Sequence, residues 1–364
     1  MTESGAEEFQ ALHEIVQAAH AALDRDLWDY VAGAAGTETT QLRNRQALDR
    51  IAFRPRVLRD VSHVDATATF LGRKVRLPVA LAPVGGLESI GAGGGVTVAR
   101  GAALAGVPFF LSSVTQSGME RVAEAAGGPK VFQLYVRGDA DWADAELRRA
   151  AECGYDALCV TVDSAHYSRR ERDIANRFAK PWRSGASGGM AYQAALDWDD
   201  VRRIRDRHRL PLMLKGIATE EDAEIACRAG IDVVYVSNHG GRQLDHGLGA
   251  IEVLPGIVRT VAGRAQVFVD GGFCRGTDIV KAVALGAATV GIGRLMCCGL
   301  AAAGAEGIAR VIALLEEEVV ECLGLLGLDG WSGLNAGHLA PAEPVVPAGA
   351  FSAFPLLRLK PRPA

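Results

Sequence analysis

The sequence predicts an α/β chain closed into a TIM (β/α)8 barrel, and three observations carry that prediction. Eight short apolar runs, near residues 79–82, 108–112, 130–135, 156–162, 211–215, 232–236, 266–270 and 288–292, have the length and the β-branched or aromatic content of strands. Stretches rich in Ala, Glu and Arg with helical character lie between most of them, as at 119–126, 142–152, 220–229 and 276–285, and repeated alternation of this kind builds a parallel sheet. Each strand also ends in a group able to touch a ligand: Pro83, Ser112, Gln133 with Tyr135, Thr161 with Asp163, Lys215, Ser237 to His239, Asp270 to Gly272, and Gly293 with Arg294. A barrel gathers its chemistry at that face.

The flanking segments follow in order. Residues 8–35 read as helical, and a polar turn leads to a second helix from Thr39 to Asp49, giving an N-terminal helical extension. Phe178 to Leu196, after strand four, is rich in Gly, Ser and Ala and carries Trp182 and Tyr192; it is expected to be a mobile lid loop over the barrel mouth. Pro341 to Ala364 is a Pro-rich tail expected to run extended or disordered, with no chemistry assigned to it. Residues 1–340 therefore read as one barrel domain and 341–364 as its tail.

Composition narrows the function. With 49% hydrophobic residues in 364, the chain can bury a large core, and a net charge of −4 offers no basic face for nucleic acid. No apolar run of membrane-spanning length is found, so no membrane partner is expected. The acidic start, Met1 to Glu8, lacks the features of a signal peptide. Seven scattered Cys without metal-type pairing suit reduced thiols, a cytoplasmic location and no metal site.

The richest motif is Ser237-Asn238-His239-Gly240-Gly241-Arg242-Gln243-Leu244-Asp245, directly after the run Asp232 to Val236. His239 is a candidate proton acceptor near neutral pH, and Arg242 offers a planar fork that matches a carboxylate. An isolated histidine would read as a hydrogen-bonded core residue; the surrounding polar, glycine-rich turn favours chemistry. Val269-Asp270-Gly271-Gly272 and Gly291-Ile292-Gly293-Arg294 close strands seven and eight, where barrels commonly hold phosphate on backbone N–H groups.

Taken together, the motifs resemble the FMN-dependent 2-hydroxy acid oxidase and dehydrogenase family, over about Asp24 to Leu323. The resemblance is densest at Phe132-Gln133-Leu134-Tyr135, Thr161-Val162-Asp163, Arg169-Arg170-Glu171, Asp173 to Phe178, Leu214-Lys215-Gly216, Ser237 to Asp245, Asp270-Gly271-Gly272 and Gly293-Arg294. It implies FMN as cofactor, lined by Pro83, Ser112, Gln133, Thr161, Lys215, Ser237, Asp270, Gly271, Gly272, Gly293 and Arg294. It implies His239 as base, oriented by Asp163, with Lys215 stabilising the reduced cofactor. Arg170, Arg242 and Tyr30 would bind the substrate carboxylate, and Tyr135 the oxygen at C2. It further implies oxidation of an L-2-hydroxy acid to the 2-oxo acid, oxygen or another electron acceptor as second partner, and a homotetramer.

Three departures bear on that reading. Gly91-Ala92-Gly93-Gly94-Gly95 stands where the family commonly has a His-Pro-x-Gly-Glu box, which predicts a more flexible turn. Cys274 stands where an Arg usually touches the FMN phosphate; Arg275 and Arg294 are the candidates to compensate. Val114 replaces the bulky aromatic of glycolate-type members, which predicts a larger pocket for a larger or aromatic, hydroxymandelate-like substrate. The same departures leave open a tailoring oxidase acting on a bulkier biosynthetic intermediate. A barrel that binds FMN or phosphate without oxidising a hydroxy acid also remains open.

Overall fold

The computed structural model describes residues 6–180 and 189–359. The barrel strands are β1 (Val79–Leu81), β2 (Phe109–Ser112), β3 (Lys130–Leu134), β4 (Ala157–Thr161), β5 (Leu212–Ile217), β6 (Val233–Val236), β7 (Gln266–Asp270) and β8 (Thr289–Ile292). Each pairs in parallel with its sequence neighbour, and β8 returns to β1 with Val290 opposite Val79 and Ile292 opposite Leu81, closing the barrel. Helices cover the outside, so most strands are buried throughout and read as continuous apolar runs rather than alternating ones.

The barrel interior is filled by Phe110, Met213, Tyr235 and Phe268, among others. A hairpin of Ala68–Phe70 and Arg73–Val75 adds Phe70 to this layer, 5.5 Å from Phe268 and 6.4 Å from Phe110, at the end away from the strands' C-termini. Space is tight above it: a Cβ at Gly291 would lie 2.0 Å from the Tyr235 hydroxyl oxygen, so β8 admits only glycine there.

The predicted N-terminal helical region is two helices, α1 (Leu12–Ala22) and α2 (Arg25–Ala32), followed by α3 (Thr39–Asp49). Asp24 separates the first two because its carboxylate accepts the Leu27 N–H and caps α2. The apolar face of α1 (Leu12, Ile15, Val16, Ala19) packs on the final helix, Arg294–Leu325. That helix is long and apolar enough to cross a bilayer by length and composition, yet most of its apolar stretch is buried inside the fold and its backbone breaks at Ala303–Gly304.

Two segments differ from expectation. Of the predicted lid, residues 181–188 lie outside the described residues; its C-terminal part is a helix, Gly189–Ala195, not a loop. The tail is described to Leu359. Leu339–Pro341 pairs antiparallel with Ile51–Phe53, after which the chain turns back and buries Phe354.

Candidate active site

β6 ends at Val236, and the chain turns tightly through His239–Gly241. His239 takes φ +59°, a left-handed conformation that costs a non-glycine residue about 1–3 kcal/mol. Its surroundings hold it there. The His239 N–H donates to Ser237 Oγ at 3.0 Å, and Asn238 exchanges two amide hydrogen bonds with Asn44 of α3 at 2.7 and 3.0 Å. At Gly241, φ +80°, a Cβ would meet the Gln41 backbone nitrogen at 2.6 Å, so α3 lies directly on the motif. Asp245 completes the clamp by accepting from Thr37 N–H (2.7 Å), the Thr37 hydroxyl (2.8 Å) and Thr40 N–H (2.9 Å). Partial burial opposes its ionisation, but these hydrogen bonds hold its pKa down at about 2.

The imidazole lies between Asp163 and Tyr135. Nδ1 is 3.0 Å from Asp163 Oδ1 and 3.2 Å from Oδ2, and Nε2 is 3.1 Å from the Tyr135 hydroxyl. Burial works to raise the Asp163 pKa, but the charge and hydrogen bond of His239, with Lys215 nearby, outweigh it and hold the carboxyl below its ordinary range. An ionised carboxylate only accepts, so Nδ1 carries a proton, and the neutral form of the ring is the one that presents an Nε2 lone pair to Tyr135. Burial, with the Asp163 charge, raises the Tyr135 phenol, so it stays protonated and donates to Nε2. Gly216 makes this packing possible: at φ +116°, its Cβ would lie 2.6 Å from Asp163 Cβ.

Two guanidinium groups share Tyr30. Arg242 sits 4.6 Å from the Tyr30 ring centroid and Arg170 5.9 Å, and Arg170 also lies 4.7 Å from the Tyr167 ring. Arg242 Nη1 donates to the carbonyls of Tyr30 (2.5 Å) and Gly33 (2.9 Å), and Arg294 donates to those of Val31 and Gly33, all at the C-terminal end of α2. That end carries partial negative charge, which offsets the crowding of cations. Among the described residues, Arg170, Arg242 and Arg294 have no carboxylate within ion-pair distance. Burial, with Arg170 beside it, lowers the Arg242 pKa, and burial, with Arg242 beside it, pushes Arg294 down to about 9. Such a cluster favours anions.

The floor is polar and only partly satisfied. Lys215 Nζ donates to Ser237 Oγ (2.8 Å) and pairs with Asp270 (2.9 Å), while the Ser237 hydroxyl donates to Asp270 at 2.5 Å. Burial disfavours the ammonium, but Asp270 and Asp163 outweigh it and Lys215 stays charged. Both amide atoms of Gln133 and the Thr161 hydroxyl are fully buried and have no partner among the described residues. Buried polar atoms without partners are uncommon and point to a bound group. A flavin edge offers donors and acceptors to Gln133 and Thr161, and a phosphate offers charge to the arginines, so the residues fit FMN.

Most of the predicted residues meet at this one mouth. Tyr30, Pro83, Tyr135, Arg170, Lys215, His239, Arg242, Asp270, Gly271, Gly272, Gly293 and Arg294 line a single cavity. Ser112, Gln133, Thr161 and Ser237 are buried at the strand ends around it. Arg275 stands apart: it pairs with Glu318 at 2.6 Å and does not line the cavity. Cys274 does line it, buried, with its N–H donated to Asp278. Residues not anticipated are Asn44, Arg45, Gln193 and the tail from Gly349 to Phe354. Arg45 grips Asp278 with both Nη atoms (2.7 and 2.8 Å) inside the fold, which steadies the turn after β7. Gln193 accepts the Val136 N–H (2.7 Å) and donates to the Thr161 carbonyl (2.9 Å), tying helix Gly189–Ala195 to β3 and β4. Within Gly91–Gly95, Gly94 and Gly95 open the helix Gly94–Ala105 and the Thr97 hydroxyl donates to the Ala92 carbonyl, while Glu88 accepts the hydroxyls of Thr115 and Ser117 from the neighbouring loop.

A barrel whose strand ends present a carboxylate–histidine pair, guanidinium groups free of carboxylates and unsatisfied polar atoms defines a cofactor-dependent enzyme of the α/β-barrel class. Comparison with known proteins names the family. The family described as FMN-dependent dehydrogenase matches residues 19–341. The chain is 38% identical to glycolate oxidase 1 of Oryza sativa over 338 residues, 87% of this chain and 92% of that one. It is 39% identical to an L-lactate oxidase of a Nostoc species (90% and 97% covered) and 38% identical to a 4-hydroxymandelate oxidase of Amycolatopsis orientalis (88% and 95%). A crystal structure of mandelate oxidase superposes with a TM-score of 0.86 at 38% identity, covering 93% of this chain and all of that one. The chain belongs to the FMN-dependent 2-hydroxy acid oxidase and dehydrogenase family, and its cofactor is FMN.

Proposed function

We propose that this enzyme oxidises an aromatic L-2-hydroxy acid to the 2-oxo acid and that oxygen is the final electron acceptor. One observation carries the reading: a proton-accepting Nε2 and two guanidinium groups without carboxylate partners converge on the same cavity around Tyr30 and Tyr135. A 2-hydroxy acid carries the complementary groups, a carboxylate one bond from a carbinol carbon. Arg170 and Arg242 grip the carboxylate. That docking directs the C2 oxygen toward Tyr135 and His239. Nε2 takes the substrate proton, from the hydroxyl or from C2, and Asp163 stabilises the imidazolium that results. General-base assistance of this kind contributes about 10²–10⁴-fold. FMN, when bound, supplies the two-electron acceptor. Lys215, held by Ser237 and Asp270, places a positive charge at the barrel floor where negative charge accumulates.

The aromatic preference rests on the wall. Val114 packs against Gly85, and Val136 and Met190 line the cavity with it; a residue of tryptophan size at 114 would occupy the space that valine leaves. The 4-hydroxymandelate oxidase and mandelate oxidase relatives support this reading. Anaerobic mixing with small, long-chain and aromatic (S)-2-hydroxy acids tests it through bleaching of the flavin band. Fastest bleaching by an aromatic acid is expected; no bleaching by any acid would favour a barrel that binds FMN without this reaction.

A further inference from the structure

The family match runs over residues 19–341, and the segment that follows lies outside it. It is nonetheless built into the cofactor cavity. Gly349, Ala350, Phe351 and Phe354 line the same space as Gly272 to Cys274, the turn after β7, and Leu295 and Cys297 beyond β8. Phe351 stacks on Trp28 of α2 at 5.2 Å between ring centroids, and Phe354 is 3% exposed. Arg275 fastens the segment: its guanidinium lies 5.8 Å from the Phe354 ring, it donates to the Ala353 carbonyl at 3.3 Å, and Glu318 holds it at 2.6 Å. The residue before it, where the family resemblance leads one to expect a phosphate-binding Arg, is the buried, uncharged Cys274.

We propose that Gly349 to Phe354 form a strap that closes the phosphate end of the FMN site and slows loss of the cofactor. Arg275 serves FMN through this strap, as a positioning residue, and not by touching the phosphate. A wall then stands beside Cys274, where the resemblance leads one to expect a direct cationic contact. A wall of this kind acts mainly on the dissociation rate. The proposal rests on the FMN assignment and not on the identity of the hydroxy acid, so it stands or falls separately from the substrate reading.

The test uses the full-length holoenzyme and its Phe351→Ala, Phe354→Ala and Arg275→Met variants, with the Arg275→Met/Phe354→Ala pair. FMN release is followed by recovery of flavin fluorescence after dilution, and the melting temperature of each apoprotein is recorded. The strap predicts release about tenfold faster in Phe354→Ala and in Arg275→Met, no further acceleration in the double variant, and an unchanged salt dependence of FMN affinity in Arg275→Met. Release at the wild-type rate in Phe351→Ala and Phe354→Ala would overturn the proposal. So would multiplicative effects in the double variant, or a salt dependence that drops in Arg275→Met, since those mark a direct phosphate contact. If Phe354→Ala fails to fold, the half-buried Phe351→Ala variant alone decides: faster release with the apoprotein melt unchanged supports the strap, and any other result removes it.

Discussion

Replacing Asp163 by Asn should slow substrate-driven flavin reduction by about 30- to 150-fold and leave FMN bound. The substitution keeps volume, and the amide oxygen can still accept the Nδ1 proton, so ring orientation survives and the change isolates the charge. In the native protein the carboxylate oxygen is 3.0 Å from Nδ1, with the two side chains 13% and 17% exposed. At an effective dielectric of about 20, unit charges about 4 Å apart gain about 4 kcal/mol. Partial water access and the residual amide dipole reduce that to about 2–3 kcal/mol, which corresponds to the stated range at about 1.36 kcal/mol per decade. The assay is anaerobic stopped-flow absorbance at saturating substrate, where only the reductive step is seen. A reduction rate within threefold of wild type would show that the carboxylate does not stabilise the imidazolium and would refute the electrostatic part of the mechanism.

Three further expectations concern the anion grip, the clamp and the pocket wall. Arg242→Met removes one charge-assisted contact, worth about 1.5–3 kcal/mol, and should lower kcat/KM by about 10- to 150-fold in steady-state assays; an unchanged value would exclude Arg242 from carboxylate binding. Asp245 has a folded pKa of about 2, below its unfolded value near 3.8, so its stabilisation is present above pH 4 and is lost as pH falls toward 2. Asp245→Asn should therefore cost about 2 kcal/mol in urea unfolding at pH 7 and about half of that at pH 3; an equal loss at both pH values would contradict the assignment. Val114→Trp should shift the kcat/KM ratio of an aromatic to a two-carbon hydroxy acid by about tenfold toward the small one; no shift would mean that the aryl group lies elsewhere.

The barrel was legible because both of its signals are local. Val233 to Val236 and Thr289 to Ile292 announce buried strands by composition, and the polar residue that follows each one marks the mouth. His239, Asp163 and Arg242 were legible for the same reason, since each sits at or just after a strand end. What stayed hidden depends on tertiary placement. The sequence of α3 is among the most polar of the described helices and reads as a surface element, yet Asn44 and Arg45 are buried because Asn238 and Asp278 supply partners more than 190 residues away. Gln193 lies in a stretch whose Gly and Ser content signals a loop; its helix is anchored by backbone groups of Val136 and Thr161 that no local pattern reveals. Arg275 was a reasonable candidate for the phosphate because it follows the Asp270-Gly271-Gly272 turn, but Glu318 on the final helix turns it toward the tail. The tail itself reads as unstructured because its Pro content masks two aromatic residues, and only Trp28 and the β7 turn give them a place to pack.

The most direct measurement is anaerobic reduction of His239→Ala by an (S)-configured aromatic 2-hydroxy acid such as mandelate, beside wild type under the same conditions. Loss of the imidazole should leave the protein yellow and able to bind the acid, with the flavin band persisting where wild type bleaches. Bleaching of the variant at the wild-type rate would show that the proton leaves by another route and that the convergence of His239 with Arg170 and Arg242 is not the reactive centre.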